Sequence, residues 1–339
     1  MVIWLPNNNI GISVIITCFN RKNYLLESLN SLLNQSINPN SFEIVVTKNF
    51  NDDLIDNFLE RNKILNIVSN VDGIGPRLIE VINICKYDFI CFLEDDDIFY
   101  PTKLEKIIKL FAETENLIYI RNEIDVIDKY GNIINEKLYN RNISFTSVND
   151  IEEKYKYIYG YKIPPMCLYF NLSSIAIKKQ IVLENMRILS QIRFSFDLAL
   201  FLYATGSIGK LYFMDEVLTR YRLHDSISVS HETDLDQFIK KREEVNLRFL
   251  RDIGIIKRQK FSNIGNIIEG FFYLWLINFS SISSNAKIKS KFFILNHYLR
   301  FSFDPFNLTD YIRVFILISS IFSIRISRLF YKMGFEFIR

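Results

Sequence analysis

Residues 87–101 read Tyr-Asp-Phe-Ile-Cys-Phe-Leu-Glu-Asp-Asp-Asp-Ile-Phe-Tyr-Pro, and this stretch decides the fold of the chain. The apolar run from Phe89 to Leu93 is typical of a β-strand that is buried on both faces. Four carboxylates, Glu94 to Asp97, follow the run without a spacer, and Pro101 indicates the start of a helix. The stretch therefore predicts a buried strand, an acidic turn and a helix in direct succession.

The four adjacent acids have two explanations. Asp97 or a neighbour would cap the following helix, which accounts for one or two of the carboxylates. The other charges would still repel one another, because the next ten residues carry too few basic side chains to neutralise them. A hard divalent cation bound by carboxylate oxygens would relieve this repulsion. We therefore expect a metal site here, with helix capping as the alternative.

The composition indicates a folded body followed by a basic tail. The chain has 339 residues, of which 49% are hydrophobic, enough for one large domain or two modest ones. Residues 231–339 hold 17 Lys and Arg against 10 Asp and Glu, whereas residues 1–230 hold 24 against 28. We expect a catalytic or binding domain over 1–230 and a helical, basic, amphipathic region over 231–339. The net charge of +3 does not indicate a nucleic-acid partner.

The cysteines and the N-terminus suggest the cellular setting. No Cys-x-x-Cys pair or zinc-finger spacing occurs, so a structural zinc is not expected. Residues 1–6 lack the basic segment and the apolar run of a signal peptide. The expected location is the cytoplasm, extended to the inner face of the cell membrane if the tail binds lipid.

Strand-like and helix-like segments alternate through the first hundred residues. The segments with strand character are 12–17, 42–47, 65–68 and 89–93. This alternation predicts an α/β fold with a mostly parallel central sheet and helices on both faces. The turns at 17–21, 47–51 and 94–97 would then meet at the carboxyl ends of the strands, where such sheets bind ligands.

Two common nucleotide-binding patterns are absent. Gly73-x-Gly75 lacks a third glycine and does not follow the first strand, so it is not a dinucleotide fingerprint. The phosphate-binding loop of kinases and NTPases does not occur, which argues against those classes.

Asp197 is a lone carboxylate ahead of the apolar segment Leu198 to Ala204. Its position suits the N-cap of a helix. It equally suits a functional carboxylate, and the spacing alone does not decide between the two.

Arg220, Arg222 and His224 alternate along the chain. On an extended strand all three side chains would face one way. Two guanidiniums and an imidazole on one face suit a phosphate or a metal-bound phosphate. A solvated edge strand would have the same pattern.

The last segment has the character of an amphipathic helix. Val314 to Ile324 is a run of eleven uncharged residues, too short to span a bilayer. With Arg325, Arg328 and Lys332 it resembles a helix lying on an anionic membrane. The competing interpretation is a helix that packs on the body of the protein or on a second subunit. A peripheral membrane contact and a homo-oligomer therefore both stay open.

Three separated blocks of the sequence resemble family 2 glycosyltransferases. The first block begins Ile12-Ser-Val-Ile-Ile-Thr-Cys-Phe-Asn-Arg21 and continues to Gln35. The second is the acidic stretch with the aromatic residue, Pro and Lys-Leu-Glu that follow it, and the third is Leu218-Thr-Arg-Tyr-Arg-Leu-His224. The blocks occur in the family's order over about residues 10–230. The resemblance implies the Rossmann-like GT-A fold of the nucleotide-diphospho-sugar transferases.

The resemblance also implies a role for each matching residue. Phe19 would stack on the nucleotide base, and Asp197 would be the catalytic base. Asp96 would be the principal metal ligand, with Asp97 and His224 beside it on the metal. The nucleotide-sugar would contact the following residues: Thr17, Phe19, Asn20, Asn49, Arg77, Glu94, Asp95 and Arg222.

The implied activity is an inverting, metal-dependent transfer of a sugar from a nucleotide-diphosphate donor. A UDP-sugar is the first expectation for the donor, and a hydroxyl of a glycan or of a lipid-linked molecule for the acceptor. Mg²⁺ or Mn²⁺ would neutralise the departing diphosphate. Asp197 would take the proton of the acceptor hydroxyl.

Two positions depart from the family pattern. Lys48-Asn49 stand where the family has acidic residues, and Asn49 accepts a hydrogen bond but supplies no charge. Phe196 stands where a Glu usually precedes the catalytic Asp. These departures keep open a GT-A-fold binding or scaffold protein that has lost transfer. A nucleotidyltransferase is a third hypothesis, which the lack of a Gly-rich Thr-Arg loop disfavours.

Overall fold

The computed structural model describes residues 10–134, 138, 147–148, 158, 161–223, 234–259, 261 and 263–338. The chain divides into two compact units. The first comprises residues 1–154 and 165–223, and the second comprises residues 155–164 and 224–339. The expected boundary between residues 230 and 231 lies outside the described residues and stays a prediction.

One mixed β-sheet forms the centre of the first unit. Its strands are β1 (Ile12–Cys18), β2 (Phe42–Lys48), β3 (Leu65–Val68), β4 (Phe89–Glu94), β5 (Ile98–Phe99), β6 (Leu117–Ile127), β7 (Ile133–Ile134), β8 (Ser147–Val148), β9 (Ile175–Lys178) and β10 (Lys210–Arg222). The main order across the sheet is β3-β2-β1-β4-β9-β6-β10-β5. The neighbours β3, β2, β1 and β4 are parallel, and β6 is parallel to β10. Strand β9 is antiparallel to both β4 and β6, and the two-residue strands β5, β7 and β8 are antiparallel to their partners. The expected mostly parallel sheet is confirmed for the other strands.

Seven α-helices of the described residues belong to the first unit. They are α1 (Leu25–Leu33), α2 (Asp53–Arg61), α3 (Ile74–Ile82), α4 (Lys103–Glu113), α5 (Lys179–Glu184), α6 (Met186–Leu189) and α7 (Phe196–Gly206). Apolar side chains at helical spacing let one face of a helix pack on the sheet, as Leu25, Leu29 and Leu32 of α1 do. Helix α7 is apolar on nearly all sides and is buried along most of its length.

Strand β4 is buried, as expected for the apolar run from Phe89 to Leu93. Its residues from Ile90 to Leu93 are buried, and β4 lies between β1 and β9. A strand with neighbours on both edges and packing on both faces has to be apolar throughout, which is the pattern in the sequence. The expected strand is confirmed, and it ends at Glu94, where the acidic turn begins.

Helix α2 has a side-chain cap, whereas helix α4 has none at its N-cap residue. Asp52 caps α2, since its Oδ1 accepts a hydrogen bond from the Ile55 backbone N–H at 3.2 Å. Helix α4 begins at Lys103, and Thr102 at its N-cap makes no side-chain capping bond. Asp97 accepts its hydrogen bonds from other segments of the chain. Capping by Asp97 is therefore the wrong explanation for the acidic stretch.

The second unit is helical, as expected for the C-terminal region. Its helices are α8 (Leu235–Lys257), α9 (Gly265–Ile282), α10 (Ile288–Phe301), α11 (Leu308–Phe322) and α12 (Ile324–Ile338). A core of Tyr273 and Ile277 from α9, Ile294 and Tyr298 from α10, and Leu317 from α11 joins three of them. The described part of the chain contains no helix that is both long and apolar enough to cross a membrane.

Candidate active site

Three turns meet at the carboxyl edge of the sheet. Strand β1 lies between β2 and β4, and all three are parallel, so the residues after them are neighbours. Asn49 Oδ1 accepts a hydrogen bond from the Asn20 backbone N–H at 2.8 Å, and Asn49 Nδ2 donates to Asn20 Oδ1 at 2.7 Å. Asn20 has a φ of 56°, a left-handed conformation that Asn tolerates better than most residues. The amide oxygen expected to accept from a nucleotide base is thus bonded to the chain's own backbone.

Phe19 and Arg77, both expected in the nucleotide site, lie against each other. The guanidinium carbon of Arg77 is 4.2 Å from the centre of the Phe19 ring. Arg77 is 7% exposed, and this burial lowers the pKa of its guanidinium. Its Nε donates to the Gly73 carbonyl at 3.1 Å, whereas Nη1 has no hydrogen-bond partner among the described residues. A buried cation with an unused donor beside an aromatic ring suits contact with a base or a phosphate.

The glycines before Arg77 have a packing role. Gly73 has a φ of 93°, which favours glycine. The Gly75 backbone N–H donates to the Ile192 carbonyl at 2.9 Å, and a Cβ at Gly75 would lie 2.1 Å from the Leu189 carbonyl oxygen. The glycines therefore allow the start of α3 to pack tightly on the segment that precedes α7.

Arg21 pairs with two of the four acids. Its Nη1 lies 2.8 Å from Asp96 Oδ2, and its Nε and Nη2 donate to Asp95 Oδ1. The other oxygen of Asp95, Oδ2, is buried and accepts no hydrogen bond from the described residues. No pattern in the sequence indicated this role for Arg21, because 74 residues separate it from Asp95. Its place in the turn after the first strand, three residues beyond Cys18, was the available signal.

Asp97 is fully buried. Its Oδ1 accepts a hydrogen bond from the Arg222 backbone N–H at 2.9 Å, and its Oδ2 accepts one from Asn171 Nδ2 at 2.8 Å. Burial, reinforced by the charge of Asp96, raises the pKa of Asp97 to about 7. Both oxygens are used within the protein, so the geometry favours a structural role for Asp97 over the expected role of metal ligand.

Glu94 is held from two sides and faces other acids. Its backbone N–H donates to Ser173 Oγ at 2.9 Å, and its Oε2 accepts from Asn171 Nδ2 at 3.3 Å. Desolvation raises the pKa of Glu94 well above its ordinary value, and the charges of Asp97, Asp96 and Asp197 raise it further. The edge of the sheet therefore concentrates negative charge.

Arg222 holds the acidic turn in place. All three nitrogens of its guanidinium donate to protein oxygens: Nε to the Asp96 carbonyl at 2.8 Å, Nη1 to the Asp128 carbonyl at 3.2 Å, and Nη2 to Glu27 Oε2 at 2.6 Å. This arrangement favours a positioning role over the expected contact with the nucleotide-sugar. His224 lies outside the described residues, so its expected contact with the metal stays a prediction.

Asp197 lies in the first turn of α7, one residue into the helix. The N-cap of α7 is Ser195, so the N-cap explanation for Asp197 is wrong. Asp197 Oδ1 accepts a hydrogen bond from the Leu198 backbone N–H at 2.8 Å. Burial raises the pKa values of Glu94 and Tyr169, and the charge of Asp197 raises both further. The fold therefore brings Asp197 to the same edge as the acidic turn.

The chemistry of this acidic edge fits a hard divalent cation. Carboxylate oxygens are the ligands that Mg²⁺ and similar ions prefer. Burial raises the pKa of Glu94, and the neighbouring charges of Asp97 and Asp96 raise it further. Among the described residues, no three His, Cys, Asp or Glu side chains are arranged to hold a metal. Mg²⁺ commonly binds through one or two carboxylates together with substrate phosphates. The residues fit a cation shared with a phosphorylated ligand, for which Asp96 and Glu94 would supply the protein's carboxylate ligands.

Thr17 and Asn171 complete the edge. Thr17 pairs in register with Glu94 across the parallel strands β1 and β4. Asn171 has a φ of 71° and is 3% exposed. It donates to both Glu94 and Asp97, more than seventy residues away along the chain. Its sequence surroundings gave no indication of this contact.

A buried lysine supports the site from behind. Lys103 is fully buried, and its Nζ donates to Thr219 Oγ1 at 2.8 Å and to the Ser173 carbonyl. Burial lowers the pKa of Lys103 to about 7. This contact fixes Ser173, whose hydroxyl accepts from the Glu94 backbone. Lys103, the first residue of the Lys-Leu-Glu pattern, thus has a structural role. Its charge alone would predict a position on the surface.

Comparison with known proteins gives a family model and several relatives. Residues 13–171 match the model described as Glycosyl transferase family 2. An uncharacterized glycosyltransferase of Methanocaldococcus jannaschii is 28% identical over 131 residues, 37% of this chain and 45% of that protein. An uncharacterized glycosyltransferase of Nostoc sp. is 24% identical over 225 residues, 63% of this chain and 65% of that protein. The chain thus spans less than two thirds of the length of these curated relatives.

Solved structures of TarS from S. aureus share the fold. The structure of TarS 1-349 in complex with UDP-GlcNAc has a TM-score of 0.58 and 15% sequence identity, covering 96% of this chain and 92% of that one. The complex of the same protein with UDP has a TM-score of 0.55. At this level of identity the likeness concerns the fold alone, which is the GT-A fold of glycosyltransferases.

Proposed function

We propose that the chain, which belongs to glycosyl transferase family 2 through residues 13–171, transfers a sugar from a nucleotide-diphosphate donor to a hydroxyl group. One observation supports the proposal above all: groups that suit a nucleotide and groups that suit a metal-bound diphosphate lie at the same edge of the sheet. One is the pair of Arg77 and Phe19, which suits a nucleotide. The other is the acidic turn with Asp197 nearby, which suits a diphosphate with its cation and a proton acceptor.

The donor in this proposal is a UDP-sugar. The solved TarS structures contain UDP-GlcNAc and UDP, and they share the fold with this chain. Phe19 supplies a ring for the base and Arg77 an unused N–H donor. Thr17, Asn20 and Asn49 line the ends of the neighbouring strands β1 and β2. Asn49 carries no charge, so selection for uracil would depend on hydrogen bonds alone.

In this proposal Asp96 and Glu94 would hold Mg²⁺ or Mn²⁺, with the donor's phosphates supplying the remaining oxygen ligands. The cation would neutralise the charge that develops on the departing diphosphate. Asp96 pairs with Arg21 in the described structure, so Arg21 positions this carboxylate, and a cation bound there would compete with the ion pair. Asp97, Arg222 and Asn171 keep the turn in shape.

Asp197 is the proposed general base. A carboxylate that accepts the proton of the acceptor hydroxyl makes that oxygen a better nucleophile. A single displacement of this kind inverts the anomeric centre. Phe196, which replaces the usual Glu, is buried in the core and leaves Asp197 as the carboxylate at this end of α7.

The acceptor is proposed to be a glycan or a lipid-linked molecule. This choice rests on the family, since residues 139–146 and 149–157, in the region expected to shape the acceptor site, lie outside the described residues. A homo-oligomer stays a proposal in the same way.

Thermal shift with nucleotide-sugars, each with and without Mn²⁺, tests this function. Ligand binding to the native state raises the melting temperature by mass action. We expect a UDP-sugar to raise it only with the cation present, and slow hydrolysis of that donor to follow. Shifts without any hydrolysis or transfer would favour the binding or scaffold protein. No shift with any nucleotide-sugar would contradict both.

A further inference from the structure

Helices α11 and α12 expose a row of large apolar side chains. On α11 the row recurs every three or four residues, and its members are between 39% and 84% exposed: Leu308, Tyr311, Phe315, Ile318 and Phe322. On α12 the spacing is the same, and the members are at least 50% exposed: Ile326, Leu329 and Met333. The rings of Phe315 and Phe330 lie 5.1 Å apart, so the two helices meet beside this row. Such a concentration of apolar surface indicates a binding face.

The inward side of the same helices carries polar groups. Asp310 is 2% exposed and accepts a hydrogen bond from Tyr298 Oη at 2.6 Å. Ser320 Oγ accepts one from the buried Lys291 Nζ at 2.8 Å, and Ser327 is fully buried. A helix that faces water normally keeps its polar side chains outside and its apolar ones inside. On α11 the inward side holds Ile316 and Leu317 as well as these polar groups, whereas every exposed residue is apolar. The outer face therefore suits an environment other than water.

The surrounding charge indicates what that environment is. Residues 287–338 contain eight Lys and Arg against two Asp and one Glu. Lys291 is buried, whereas the following are exposed: Lys287, Lys289, Arg300 and Arg325. Asp310 pairs with Arg313, and Asp304 accepts a hydrogen bond from the Phe306 backbone N–H. Two copies of so basic a face would repel each other, whereas anionic lipid headgroups would attract it. Aromatic side chains next to basic ones are typical of the boundary between headgroups and acyl chains.

We propose that α11 and α12 lie flat on an anionic lipid bilayer, with the apolar row inserted at its boundary and Arg325 among the headgroups. Helix α11 has 15 residues. Its length of about 22 Å is shorter than the hydrocarbon core of about 30 Å, so the helix lies on the bilayer. The inference goes beyond the proposed sugar transfer and does not depend on it.

Flotation of the full chain with vesicles tests the inference. The probes are vesicles of phosphatidylcholine alone and vesicles that also contain phosphatidylglycerol. We expect the protein to float with the anionic vesicles. The double variant Phe315→Ser, Phe322→Ser removes two inserted rings and should weaken partitioning about tenfold or more. Arg325→Glu should weaken it about fivefold or more, with anionic vesicles only.

Ile208→Ser is the matched control, because Ile208 is an apolar residue of the first unit that is 88% exposed. It should float like the unchanged protein. Thermal shift with a UDP-sugar and Mn²⁺ on every variant reports separately on the nucleotide site. If the unchanged protein floats with anionic vesicles but has no thermal shift with the UDP-sugar and Mn²⁺, the proposed function is contradicted and the membrane inference is not.

Two outcomes would overturn the inference. One is a protein that does not float with anionic vesicles, or a double variant that floats as well as the unchanged chain. The other is an oligomer in light scattering that the double variant dissociates while flotation is unaffected, which would assign the row to a second copy.

Discussion

The guanidinium of Arg77 lies over the ring of Phe19, at 4.2 Å from the ring centre. Fifty-eight residues separate the two in the chain. Arg77 covers one face of Phe19, so a stacked base would use the other face or displace Arg77. Either way the two residues act as one unit, and a change at one alters the contact surface of the other.

Replacing Arg77 with Met should weaken UDP binding by about tenfold or more. The variant loses a charged donor and a cation–π contact but keeps an apolar chain of similar length. Isothermal titration with UDP and Mn²⁺ measures the change. Arg61→Met, at the exposed C-terminal end of α2, is the control and should bind UDP normally. Unchanged affinity in Arg77→Met would remove Arg77 from the nucleotide site.

Asp96→Asn should abolish transfer and remove the effect of Mn²⁺ on nucleotide binding. The amide keeps the size of the side chain but lacks the charge that attracts a cation and that pairs with Arg21. Titration of UDP at several Mn²⁺ concentrations, followed by a transfer assay, checks both effects. Asp53→Asn, an exposed acid at the start of α2, is the control. A fully active Asp96→Asn variant would refute the proposed metal site.

Asp197→Asn should bind UDP-sugar normally and turn it over at least about a hundredfold more slowly, the usual contribution of a general base. The residue is proposed to touch the acceptor and not the donor. The comparison of nucleotide affinity with the turnover rate is the measurement. A variant with poor nucleotide affinity and normal turnover would require another base.

Asn171→Gly should destabilise the protein by about 2 kcal/mol. Glycine relieves the strain of a φ of 71°, about 1 kcal/mol, but loses two hydrogen bonds to carboxylates of about 1.5 kcal/mol or more each. Urea unfolding measures the difference. Asn116→Gly is a matched control, since Asn116 has a φ of 58° and is exposed, and it should be neutral or stabilising. Equal effects at both positions would show that Asn171 contributes only its backbone conformation.

The buried Lys103 should make stability depend on pH above neutrality. Its pKa of about 7 in the folded protein lies below the ordinary value of 10.5, so between these values the unfolded chain binds more protons. The free energy of unfolding should therefore rise with pH in this window, by up to about 1.4 kcal/mol per pH unit.

Urea unfolding at successive pH values tests this slope. Lys103→Met should lose it, whereas Lys109→Met, on an exposed part of the same helix, should keep it. If the two variants have the same pH dependence, Lys103 does not titrate in this range.

The strands and helices of the first unit could be predicted from the sequence, because they depend on residues that are close together in the chain. The apolar run Phe89 to Leu93 has the composition of a doubly buried strand and forms one. Asp52 caps the next helix because only three residues separate it from Ile55. The start of α4 was placed two residues too early, since Pro101 tolerates a turn as well as the first turn of a helix.

The roles of individual site residues were harder to predict from the sequence than the strands and helices. Arg222 was expected to offer its donors to a phosphate, but they bind Glu27 and two carbonyls, and Glu27 is 195 residues away. The expected metal role of Asp97 stays a prediction, but its two oxygens accept hydrogen bonds from Asn171 and Arg222, which the spacing did not indicate. Such outcomes depend on which distant segments pack around a side chain, and no spacing in the sequence encodes that.

The stretch at residues 87–101 by itself determined a buried strand that ends in four acids, because strand formation depends on the residues in the strand. The order of the parallel strands likewise predicted that the three turns would meet. Only the tertiary structure divided the acids. It buried Asp97, paired Asp95 and Asp96 with Arg21, and bonded Glu94 to Asn171. The division depends on desolvation and on partners from remote segments, which exist only once the chain has folded.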